Sequence, residues 1–135
     1  MLCDLLVHVD GGQAGRRRVQ FAVDLALRIG ARLSGIHVTP PLEVPPLFKP
    51  SLVEKVAADL SLTLALDTQA AAAVFSEETI GRLADACWFS AEGDVVQGIN
   101  NRARYTDLVI LGQYERQGWP EAHPFPIRNT VVLIF

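Results

Sequence analysis

Three short runs set the fold class of this chain: Leu5-Leu6-Val7-His8-Val9, Leu108-Val109-Ile110-Leu111 and Thr130 to Phe135 (TVVLIF). Each is too uniformly apolar for a strand with one wet face and too short for a buried helix. Such runs are strands of a parallel sheet, whose two faces are both covered by helices. The first ends at Asp10-Gly11-Gly12 and the second at Gly112. Two further strands fit the same scheme. Leu33 to Thr39 (LSGIHVT) is stopped by Pro40-Pro41, because proline cannot donate to a ladder, and Cys87-Trp88-Phe89-Ser90-Ala91 ends at Glu92-Gly93.

Helical segments separate these strands. From Arg16 to Gly30, Val19, Ala22, Ala26 and Ile29, with Val23 and Leu25, form an apolar stripe, while Arg18, Asp24 and Arg28 lie off it. Gly30 supplies a left-handed C-cap. Pro40, Pro41, Pro45, Pro46 and Pro50 make residues 40 to 50 a stiff, extended loop. Ser51-Leu52-Val53-Glu54 then has the form of a capping box opening an alanine- and leucine-rich helix. Ser76-Glu77-Glu78 either starts a second helix or lies on the first, which leaves one helix or two between residues 51 and 86. Asp94 with Gln97 is another capping signal, followed by the apolar face Val95, Val96, Ile99 and Ala103. Strands alternating with helices predict an α/β fold with right-handed crossovers and a parallel sheet.

The chain has 135 residues, half of them apolar and a fifth charged, enough for one domain over residues 1–135 with a full core. A net charge of -3 gives no basic footprint for nucleic acid. No apolar run approaches the ~20 residues of a membrane span, so no membrane contact is expected. Met1 runs straight into an apolar strand without a basic n-region, so a signal peptide is not expected. Two cysteines far apart, Cys3 and Cys87, suit a reducing compartment. The expected location is the cytoplasm.

Ligands of open parallel sheets bind outside the carboxyl ends of the strands, where strand order reverses. Those ends are Asp10-Gly11-Gly12, Thr39-Pro40, Gly93-Asp94 and Gly112-Gln113. Asp10 places a carboxylate at the mouth of the first strand. Gly11-Gly12-Gln13-Ala14-Gly15 is neither G-x-G-x-x-G nor a P-loop, and a plain strand-to-helix turn also needs glycine. Arg16-Arg17-Arg18 either grips phosphate or is a solvated basic turn, the second being the simpler account. His8 and His37 sit at matching places in adjacent strands and could face each other. Two imidazoles without a third ligand make a poor metal site, so buried, hydrogen-bonded histidines are expected and no metal. His123 lies between prolines and is read as surface. Cys3 and Cys87 have no neighbouring base and are read as packing residues.

Four segments together resemble the universal stress protein family: Leu5-Leu6-Val7-His8-Val9-Asp10-Gly11-Gly12, His37-Val38-Thr39-Pro40, Glu92-Gly93-Asp94 and Thr106 to Gln113 (TDLVILGQ). Their order and spacing match over about the first 113 residues. The resemblance implies a three-layer sandwich, adenine nucleotide alpha hydrolase-like, with a five-stranded sheet in the order 3-2-1-4-5. It further implies an adenosine site at Asp10 and Val38, bordered by Gly11, Gly12, Thr39 and Gly112. Nucleotide-binding members hold phosphate in a glycine loop after the fourth strand, which leads into a fourth helix.

The sequence departs from the family there. Between Gly112 and the last strand, residues 113 to 129 contain one glycine, Gly118, and no Gly-Ser or Gly-Thr pair. Pro120, Pro124 and Pro126 exclude a regular helix, so the fourth helix is expected to be absent. Tyr114 and Trp119 are contact aromatics or caps over the sheet. Without a run of backbone N–H groups a polyphosphate loses its main support, and Glu115 and Glu121 add repulsion. No cofactor is expected to be tightly held, ATP and AMP included. The fifth strand would lose its helical cover, so a homodimer through Thr130, Val131, Val132, Leu133, Ile134 and Phe135 is expected, or a chain continuing into a second domain. The function implied is a non-enzymatic stress-response module acting through an unidentified protein partner. The alternatives are a weak AMP- or ATP-binding sensor and, less well supported, an adenine-nucleotide hydrolase.

Overall fold

The computed structural model describes residues 4–42, 49–112 and 131–134, the last stretch as backbone only. Strands β1 (Asp4–His8), β2 (Arg32–Thr39), β3 (Cys87–Glu92), β4 (Leu108–Leu111) and β5 (Val131–Ile134) alternate with helices α1 (Gln13–Ile29), α2 (Pro50–Thr79) and α3 (Val95–Ala103). The sheet runs β3-β2-β1-β4-β5 and every neighbouring pair is parallel. The expected α/β class with a parallel sheet therefore stands. The described side chains of β3-β2-β1-β4 carry the core, and β5 joins through backbone pairing, Val109 opposite Val132. The expectations for residues 113 to 129, the missing fourth helix among them, lie outside the described residues.

Period-two alternation explains why the middle of β1 and all of β4 are apolar without a break. Leu5, Val7 and Val9 of the β1 segment point to one face, where they pack with Leu33, Ile110, Val19, Val23, Val74 and Phe75 beneath α1 and α2. Leu6 points to the other, with Ile36, Val38, Val109 and Leu111 beneath Ile99 and Ala103 of α3. A strand that fed only one of these cores would show alternate polar residues. Gly35 allows the first layer to close: a Cβ there would come within 2.6 Å of the Phe75 ring, which packs on Trp88 with centroids 5.2 Å apart.

The helices depart from the sequence reading at their starts and along their faces. Helix α2 is one element from Pro50, with proline in the first turn and Lys49 at the N-cap without a side-chain bond. The capping box at Ser51 and Glu54 therefore does not form: Pro50, with φ preset and no N–H to satisfy, starts the helix two residues before the box would. Only its last turns are buried, through Ala71, Val74, Phe75 and Thr79. In α1, Ile29 at the end of the predicted stripe is 37% exposed, and Arg18, placed off the stripe, is buried. Gly30 takes the left-handed conformation expected of it, with φ 67°. In α3 the Asp94 side chain accepts from the Gln97 backbone N–H at 2.9 Å, the predicted cap. Among the described residues no helix is long and apolar enough to cross a membrane.

Candidate functional site

The carboxyl ends of β1, β2 and β4 bring the predicted residues into one neighbourhood. Asp10 follows β1, and its side chain is 46% exposed. Its backbone and carboxylate oxygens lie over Gly15, where any Cβ would overlap them. Gly11 is wedged against α2, since a Cβ there would meet the Ala70 Cβ at 2.7 Å and Asp67 Oδ1 at 3.3 Å. Gly12 is the N-cap of α1, open on all sides, and provides no side-chain cap.

On β2 the two predicted residues behave differently. Val38 is 3% exposed and packs in the second core, where Gly98 of α3 approaches it closely. Its side chain is therefore a core element, and only its main chain is left to face a ligand. Thr39 reaches across to α2, with Thr39 Oγ1 and Thr68 Oγ1 3.0 Å apart. Thr68 also bonds the Leu64 carbonyl at 2.9 Å, which uses its single proton, so Thr39 is the donor between them. Asp67 and Thr68 thus form a polar wall beside the first turn. The sequence reading missed both, because nothing local shows how far an alanine-rich helix slides over the end of a sheet.

Arg18 is the larger surprise. Its guanidinium is buried, 5% exposed, with Nη1 donating to the His8 carbonyl at 2.8 Å. The same nitrogen is 3.8 Å from Asp10 Oδ2, an ion pair too long for a hydrogen bond. Its Nε is the one buried side-chain nitrogen or oxygen without a partner among the described residues. The group fills the space beside Gly112, where a Cβ would overlap Nη2. Glycine at position 112 is therefore required by this arginine, in addition to any ligand. The basic triplet is not a solvated turn as expected: Arg18 is interior, and Arg16 donates to Glu78 at 2.9 Å and Glu77 at 2.8 Å. Those two bonds hold Arg16 in its charged form, raising its pKa.

The histidines do not face each other. The register pairs His8 with Ile36, and alternation then puts His37 on the opposite face of the sheet. His37 is buried and donates Nδ1–H to the Val9 carbonyl at 2.8 Å, the hydrogen-bonded core role expected. Burial, and then the charge of Arg18, lower the pKa of His8 to about 4. Among the described residues no group of three His, Cys, Asp or Glu is placed to hold a metal. Cys87 is exposed at the edge of the sheet, so the packing role read for it does not hold; Cys3 lies outside the described residues.

The family model described as "Universal stress protein family" matches residues 1–121. The chain belongs to the universal stress protein family. Its structure is similar to the universal stress protein UspA from Lactobacillus plantarum, at 18% identity and TM-score 0.70, covering 98% of this chain and 97% of that one. A universal stress protein solved in complex with cAMP matches at 19% identity and TM-score 0.60, covering 99% and 96%. The Archaeoglobus fulgidus universal stress protein in complex with dAMP matches at 16% and TM-score 0.52, covering 99% and 98%. At these identities the likeness speaks for the fold. No curated protein matches the sequence. Within the universal stress protein fold, Asp10, Thr39, Asp67, Thr68 and Arg18 are among the described polar groups that this chain gathers around the carboxyl end of β1.

Proposed function

We propose that this chain is a non-enzymatic universal-stress-type module of the cytoplasm whose cleft at Asp10 takes the adenosine part of an adenine nucleotide without holding ATP tightly. The observation that carries the reading is the half-exposed Asp10 carboxylate at the strand-order reversal, beside the main chain of Val38 and the turn at Gly11. A carboxylate so placed accepts hydrogen bonds from the hydroxyls of a ribose. The structures of relatives in complex with cAMP and dAMP support an adenine nucleotide as the ligand class. The glycine-poor sequence after Gly112 supports weak rather than tight triphosphate binding. No nucleophile with a neighbouring base can be named in the sequence, which supports a binding role over hydrolysis.

Calorimetric titration with adenosine, AMP and ATP tests the reading. Weak binding of adenosine and AMP, abolished in Asp10→Ala, is the expected result, with ATP no tighter than AMP. Submicromolar ATP binding, or ATP turnover, would overturn it. The reading includes a homodimer through β5, an edge strand whose outer backbone groups offer a second copy a template for pairing. Light scattering that gives a monomer at high concentration would remove that part.

A further inference from the structure

We infer that Arg18 is the anion subsite of this cleft, selecting a ligand that carries a phosphate monoester beside its ribose. The inference rests on the adenosine reading for where the rest of the ligand lies. Its own support is a charge left short of acceptors.

A buried guanidinium needs its charge balanced and its N–H donors used. Arg18 has one hydrogen-bond acceptor at 2.8 Å, the neutral His8 carbonyl, and an unpartnered Nε among the described residues. Among the described residues the one opposite charge paired with it is Asp10, 3.8 Å away and half in solvent. This is a loose pair for so enclosed a group. On one side the guanidinium packs against Gly112, where a Cβ would overlap Nη2.

The start of α1 adds to the same place. The first intrahelical bond there is Arg16 N–H to the Gly12 carbonyl at 3.1 Å, so the N–H groups of Gln13, Ala14 and Gly15 precede the ladder. Among the described residues no side-chain cap bond is made there, and the first turn holds no acidic residue. Helix N-termini favour anions, and here the helix start and the arginine meet on either side of Asp10. A phosphate monoester entering from the solvent side of Asp10 would take the place on Nη1 that Asp10 now holds at a distance. Asp10 would then be released to the ribose hydroxyls. One guanidinium serves one phosphate group, so the subsite fits a monophosphate.

The test compares adenosine, AMP and inorganic phosphate on the full chain, by calorimetry and by the NMR resonance of the Arg18 Nε–H. AMP should bind roughly tenfold or more tightly than adenosine, the size of one charge-assisted contact. The Nε–H resonance should move with AMP and with phosphate. In Arg18→Met the AMP-to-adenosine ratio should fall to about one, with Arg18→Lys between. Equal affinities for AMP and adenosine, or an Nε–H that ignores both anions, overturn the anion subsite and leave the adenosine reading standing. Phosphate that moves the Nε–H while adenosine fails to bind sinks the adenosine reading and keeps the subsite. If none of the three binds, both fall. The resonance is read on the native chain, so the test survives variants that do not fold.

Discussion

The two ends of the sheet treat charge in opposite ways. At the amino end, Arg32 pairs with Asp4 at 3.0 Å and Arg82 with Asp24 at 2.7 Å, with every partner substantially in solvent. A groove of about 260 Å³ lies there, lined by Leu27, Ala31, Leu33, Leu83 and Asp85 among others. At the carboxyl end, Arg18 is interior with a distant counter-charge, and His8 is kept neutral. Good ion pairs in water do little for stability, whereas an imperfect one in the interior is costly to keep. The groove lies at the amino end, but the polar chemistry converges on the other end. A fold that retains an under-satisfied charge at its strand-order reversal points to that end as the working one.

The largest expected effect breaks or upholds this contrast through pH. His8 has a folded pKa near 4 against 6.5 for the free group, so the unfolded chain binds the proton more readily. The stability this represents is complete above about pH 6.5 and is lost as the pH falls toward 4, up to about 3 kcal/mol. Urea midpoints should fall over that window, and His8→Gln should flatten the fall. An unchanged slope in the variant would remove His8 from the account.

Gly112→Ala sharpens the contrast from the other side. Forcing a methyl against the Arg18 guanidinium should destabilise by about 1–3 kcal/mol, as other overpacked sites do. In an Arg18→Ala background the same change should be nearly neutral, below about 0.5 kcal/mol, because its obstacle is gone. Additive effects in this double-mutant cycle would show that Gly112 is glycine for another reason. The smallest effect belongs to the amino end. Arg32→Ala should change stability by less than about 1 kcal/mol, and added salt should shrink the change further.

The parts of the fold legible in the sequence are those where one residue type has one physical outcome. Leu108 to Leu111 can only be a strand covered on both faces, Gly30 ends α1 by its left-handed backbone, and Asp94 caps α3. The site was legible only in outline. Asp10 and its glycines follow from the end of a strand, but Arg18 does not. An arginine two residues from Arg16 reads as surface, and its burial is decided by the gap that Gly112 leaves just past the end of β4, about ninety residues later. Val38 was assigned to the ligand, yet its side chain belongs to the core under Gly98. Asp67 and Thr68 reach the cleft because α2 starts at Pro50 and runs unbroken, a length that composition left open.

The measurement that tests the central claim most directly is a map of backbone amide shifts as AMP is added to the native chain. Shifts clustered at Asp10 to Gly15, Val38, Thr39, Asp67 and Gly112 would place the ligand at the carboxyl end, as the account predicts. Shifts centred instead on the amino-end groove at Ala31, Arg32, Leu83 and Asp85 would contradict it.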